Sequence, residues 1–130
     1  MAFHLSTAFV TIASKSTDSD FDRLVVFYKG LSSQEPKPFL PQIYAEFNLP
    51  GLRLGIFRPN DSNSSEFNHS ANSSMSICLE VDSLDKVIEH LKKLGYPPKG
   101  EIMTASHGRE IYAYDPAGNR LIFHQGHNKV

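Results

Sequence analysis

The chain repeats itself. Val10-Thr-Ile12 resembles Ile77-Cys-Leu79, and Gly51-Leu-Arg-Leu54 resembles Gly118-Asn-Arg-Leu121, both at an offset of 67 residues (77 − 10 and 118 − 51). Between them Phe21-Asp-Arg-Leu24 matches Leu84-Asp-Lys-Val87 at an offset of 63 (84 − 21), so the first half carries the longer loop between strand and helix. A fixed offset at both ends of two segments is the mark of a duplicated supersecondary unit. It restricts the chain to folds in which two similar halves build one domain, and a length of 130 residues suits one domain.

Each half reads β-α-β-β-β. In the first, Phe9-Val-Thr-Ile12 is strand-like, and Phe21, Leu24, Val25 and Tyr28 recur at helical spacing. Ile43 to Phe47 and Leu52 to Phe57 then form two strand-like runs joined by Asn-Leu-Pro-Gly. In the second, Ile77 to Val81 alternates, and Leu84, Val87, Ile88 and Leu91 form a helix stripe capped by Asp82 or Ser83 and ended by Gly95. Glu110 to Tyr114 and Arg120 to His124 close the unit around the turn Asp115-Pro-Ala-Gly-Asn119. The strand directly after each helix carries the weakest signal.

Between the halves lies Asn60 to Ser74, rich in Asn and Ser, which reads as a linker with little apolar surface to bury. Its four Asn-x-Ser/Thr triplets, at Asn60, Asn63, Asn68 and Asn72, matter only in a secreted chain. The start MAFHLSTAF lacks the basic-then-apolar pattern of a secretory leader, so the triplets read as accidents of composition and the location as cytoplasmic. The single cysteine, Cys78, excludes an internal disulfide and a multi-cysteine zinc site, and reads as half-buried and inert. A net charge of −1 with no basic block argues against nucleic acid, and no apolar run is long enough for a membrane.

The tandem unit, ending in Tyr114-Asp-Pro-Ala-Gly-Asn-Arg-Leu-Ile-Phe-His-Gln125, resembles the vicinal oxygen chelate superfamily of glyoxalases, bleomycin resistance proteins and extradiol dioxygenases. Asp22-Arg to Phe27-Tyr28, Leu84-Asp to Leu94-Gly95, and His107-Gly108-Arg109 add to the likeness. The resemblance implies an α+β fold. Two tandem β-α-β-β-β modules, 3–59 and 75–125, would flank the linker 60–74. They would form an open eight-stranded barrel with helices outside, a ligand cavity between the modules, and a homodimer.

Alternation then sorts the strand residues, because successive side chains point to opposite faces. Val10, Ile12, Leu52, Leu54, Ile56, Ile77, Leu79, Val81, Leu121 and Phe123 are uniformly apolar and face the helices. Phe9, Thr11, Arg53, Gly55, Phe57, Ser76, Cys78, Glu80, Arg120, Ile122 and His124 form the mixed face, which suits a small polar ligand.

Metal enzymes of the superfamily hold a divalent ion through His or Gln on the first strand of each module and Glu on the last. The matching positions here are Phe9, Gly55, Ser76 and Ile122. Phe, Gly and Ile cannot ligate through their side chains and Ser is a poor ligand, so neither metal nor other cofactor is expected.

The expected ligand-contacting residues are Phe9, Arg53, Phe57, Ser76, Glu80, His107, Arg120 and His124. His124 and Glu80 are the catalytic candidates, since an imidazole titrates near neutral pH. Glu80 is a candidate partner of Arg53 or Arg120. Two arginines against one carboxylate favour an anionic ligand. His4, His69, His90 and His127 read as surface residues. The leading expectation is a metal-independent protein that binds a small anionic molecule. The alternatives are a glyoxalase-type lyase or isomerase, or an extradiol dioxygenase, using other ligands, and a non-catalytic interaction module.

Overall fold

The computed structural model describes residue 4 and residues 6–15, 17–67 and 73–126. The chain divides into two compact units, Met1–Phe67 and Asn68–Val130. His69, His127 and the triplet residues Asn68 and Asn72 lie outside the described residues.

In the first unit β1 (Val10–Ala13) leads through α1 (Asp18–Ser32) to β2 (Phe39–Leu40), β3 (Tyr44–Leu49) and β4 (Leu52–Phe57). The sheet order is β1-β4-β3-β2, with β1 parallel to β4. Parallel neighbours need a long crossover, and α1 opens it. Thr17 caps α1 by accepting from the Asp20 backbone, with Asp18 and Asp20 near the positive end of the helix dipole. Phe21, Leu24, Val25, Phe27 and Tyr28 are buried. They meet Ala45, Phe47, Leu54 and Ile56 in the module core, and the Tyr28 and Phe47 rings lie 6.3 Å apart.

β3 runs one residue later at its start and two later at its end than the pattern suggests. Ile43 is instead held in a turn, its N–H bonded to the Leu40 carbonyl, and stays exposed. The strand continues to Leu49 because Pro50 and Gly51 alone make the hairpin, with Gly51 at φ 77 where glycine carries no steric cost. Within the segment read as a linker, Asp61–Phe67 winds into a 3₁₀ helix rather than irregular chain. Phe67 meets Phe57 edge-on at 5.1 Å, so one aromatic in a polar stretch ties the first part of this segment to the first module.

The second unit repeats the plan: β5 (Ile77–Glu80), α2 (Leu84–Leu94), β6 (Met103–Ala105), β7 (Gly108–Tyr114) and β8 (Arg120–Gly126). Its order is β5-β8-β7-β6, again with first and last strands parallel. The registers coincide at the repeat offset: Val10 pairs with Leu54 as Ile77 pairs with Leu121, and Thr11 pairs with Gly55 as Cys78 pairs with Ile122. Ser83 caps α2 through the Lys86 N–H, and Gln125 Oε1 accepts the Leu84 N–H at 2.8 Å, tying the helix start to β8. Gly95, at φ 92, ends the helix in the left-handed region. Leu84, Leu91, Ile111, Ala113, Leu121 and Phe123 form this core. Each unit therefore holds its own four-stranded sheet, with its apolar face under its own helix.

Asp115 fixes the last turn. It is 4% exposed and accepts from the backbone N–H groups of Ala117 and Asn119 and from Asn119 Nδ2 at 2.9–3.0 Å. Asp115→Ala leaves those donors without their charged acceptor and should lower unfolding free energy by about 2–3 kcal/mol. Urea denaturation measures this, with exposed Asp85→Ala as the control expected within about 0.5 kcal/mol of the parent.

Candidate functional site

The faces turned away from the helices carry the chemistry, and the shared register lets them be compared row by row. Directly paired residues lie on the same side of a sheet. In the first module the rows are Asn48–Arg53, then Glu46–Gly55–Thr11, then Tyr44–Phe57–Ala13. In the second they are Tyr114–Arg120, then Tyr112–Ile122–Cys78, then Glu110–His124–Glu80.

The first face pairs its charged side chains with one another, although Arg53 Nε is buried with no hydrogen bond among the described residues. Tyr44 donates its phenolic hydrogen to Glu46 Oε1 at 2.8 Å, and Arg53 Nε lies 3.4 Å from Glu46 Oε2. The Arg53 guanidinium stacks on the Phe9 ring, 4.3 Å from its centroid. Burial, then the bond to the Glu46 carboxylate, hold the Tyr44 phenol above its ordinary value, while Arg53 pulls the other way. Tyr44 also fills the space over Gly55: a Cβ there would sit 2.5 Å from its hydroxyl oxygen. At the end of this module a cavity of about 400 Å³ is lined by Phe57, Arg58, Asn60, Asn63, Glu66 and Phe67. Arg58 is ion-paired with Asp18 and bonded to Gln42, so its charge is already matched.

The second face contains a dyad. His124 Nδ1 and Glu80 Oε1 are 2.6 Å apart, and the Gly126 N–H donates to Glu80 Oε2 at 3.0 Å. An ionised carboxylate only accepts, so Nδ1 carries the proton and Nε2 the lone pair of the neutral ring. The His107 ring stacks on His124 at 4.8 Å. Nε2 is buried with no hydrogen-bond partner among the described residues, and a Cβ at Gly108 would lie 2.9 Å from it. The carboxylate thus fixes the orientation of the imidazole, and the His107–Gly108 turn lies over Nε2.

Arg120, at the other end of β8, bonds Ser76 Oγ at 2.9 Å and the Ser73 carbonyl at 2.9 Å, with the Met75 carbonyl at 3.5 Å. No carboxylate among the described residues forms an ion pair with it.

These positions correct the expected pairings. Glu80 bonds His124 rather than Arg53 or Arg120, because Glu80 and His124 are cross-strand partners while Arg120 stands four residues along β8. Arg53 pairs with Glu46 on its own sheet. Cys78, expected half-buried, is exposed on the face away from α2. Sequence reasoning missed Tyr44, Glu46, Glu110, Tyr112 and Tyr114 on the central strands. The alternation Tyr44, Glu46, Asn48 and Glu110, Tyr112, Tyr114 marks them as one face.

The residues present do not fit the superfamily's divalent ion. Gly55 lies under the Tyr44 phenol, the Phe9 ring covers Arg53, the Ser76 hydroxyl accepts from Arg120, and Ile122 offers no donor atom. Among the described residues no group of three His, Cys, Asp or Glu side chains is placed to hold a metal.

Gly55→Ala should cost about 1–3 kcal/mol, the usual range for overpacking a filled site. The cost should fall to less than half in a Tyr44→Ala background, because the phenol is the atom set that clashes. Equal cost in both backgrounds, read by urea denaturation, would contradict this packing.

The family model of the Glyoxalase/Bleomycin resistance protein/Dioxygenase superfamily matches residues 9–123. Among solved structures, the Mn(II) complex of a fosfomycin resistance protein FosX variant from Listeria monocytogenes is similar, with 20% identity over 95% of this chain and 92% of that one and a TM-score of 0.72. A glyoxalase-related enzyme from Fulvimarina pelagi shares 17% identity over 94% of this chain and 89% of that one, TM-score 0.69. A glyoxalase/bleomycin resistance protein from Catenulispora acidiphila shares 21% over 91% and 96%, TM-score 0.63. Among curated proteins none matches the chain. Together with the duplicated register and the two four-stranded sheets, the match over residues 9–123 establishes that the chain belongs to the Glyoxalase/Bleomycin resistance protein/Dioxygenase superfamily.

Proposed function

We propose that the chain binds a small carboxylate- or phosphate-bearing molecule at Arg120 on the open face of the second module, without a metal ion. One comparison carries this reading. Arg53 and Arg120 occupy equivalent rows, but Arg53 has Glu46 beside it and Arg120 has Tyr112 in the equivalent place. A cation that no carboxylate among the described residues neutralises, held by a hydroxyl and backbone carbonyls, is prepared for an anion. Among the described residues its Nε makes no hydrogen bond, which leaves it for the ligand. The expectation that both arginines read the ligand is thereby narrowed to one.

The Glu80–His124 dyad favours a second reading, in which the bound molecule undergoes proton transfer at His124 once the His107 turn moves aside. The homodimer remains part of the proposal, supported by the short edge strand β2 with Phe39 and Leu40 exposed.

A thermal-shift screen of small carboxylates and phosphates, followed by titration of any hit, tests the first reading. Arg120→Ala should weaken binding by about 1.5–3 kcal/mol, the worth of a hydrogen bond to a charged group, or roughly 10- to 150-fold. Arg53→Ala should leave affinity within about twofold, since its charge is already paired. Binding of only neutral or cationic compounds would overturn the reading, as would an Arg120→Ala variant that binds like the parent.

A further inference from the structure

The second face is not uniformly cationic. Its charges are separated along β8. Arg120 stands at one end. Four residues on, about 13 Å at the usual strand rise, stands His124 between two carboxylates, Glu80 on β5 and Glu110 on β7. The row between them is uncharged: Cys78, Ile122 and Tyr112. With two carboxylates at one end and a guanidinium at the other, a ligand that is only an anion is held at Arg120 and meets acidic groups at the far end.

Resting on the Arg120 reading above, we propose that the preferred ligand is bipolar: an anionic group at Arg120, a flat apolar middle over Ile122 and Tyr112, and an ammonium or similar donor at Glu80 and Glu110. The first module supports this by contrast. Its equivalents of Glu110, His124 and Glu80 are Tyr44, Phe57 and Ala13, and its charges are matched internally. The second face is also open to a ligand: Tyr112 is 38% exposed, and the Glu80 side chain 66%. Tyr112 offers a ring on which a planar group can stack.

Three probes differing only in charge test it: 4-(aminomethyl)phenylacetate, phenylacetate and 4-methylbenzylamine. Calorimetric titration of the full chain gives affinities. The rate at which iodoacetamide alkylates exposed Cys78 reports occupancy of the middle row. The bipolar probe should bind about two- to fivefold tighter than either singly charged one, in the range of solvated ion pairs, and should slow alkylation. Glu110→Gln, a near-isosteric change, should bring it to the affinity of phenylacetate, and Arg120→Gln to that of the amine. Phenylacetate binding as tightly as the bipolar probe, with dependence on Arg120, would overturn the bipolar ligand and leave the Arg120 reading standing. Binding of no probe at millimolar concentration, or binding indifferent to Arg120, would overturn both.

Discussion

The parallel pairing of the first and last strands of each module governs everything else. A parallel pair requires a crossover, and the helix within it covers one face of the sheet. Side chains then divide by parity: one set builds a core under the helix, and the other is free of packing duties there. Because both modules keep the same register, each free position in one has a counterpart in the other.

That freedom has been used differently on the two faces. On the first, a glycine on β4 makes room for a phenol, the phenol binds a carboxylate, and the carboxylate binds an arginine that an aromatic ring covers. Such a network sets the face's cation against its carboxylate. On the second, a tyrosine stands where the carboxylate would be, and the acidic groups have moved two residues along the sheet to flank a histidine. One arrangement is closed chemistry, the other open. Duplication permits this, since the two modules keep the same register while their free faces diverge.

The duplication, the two helices and the helix-facing residues were legible in the sequence because apolar periodicity and a constant offset report backbone geometry directly. Partners were not. Pairing Glu80 with His124 rather than an arginine needs the parallel register between β5 and β8, which alternation within one strand does not contain. Glu46 went unnoticed because its strand follows a weak β2, so its alignment on β4 had no anchor. The 3₁₀ helix at Asp61–Phe67 was hidden by composition, since only the Phe67 ring signals that a stretch of Asn and Ser packs against anything.

The central claim is that this chain has replaced the superfamily's ion with side-chain chemistry. Elemental analysis of protein purified without chelator, joined to melting curves before and after chelation, tests it most directly. The account predicts far less than one Zn, Ni, Fe or Mn per chain and a melting temperature that chelation leaves unchanged. About one such ion per chain, removed by chelator with a fall in melting temperature, would contradict it.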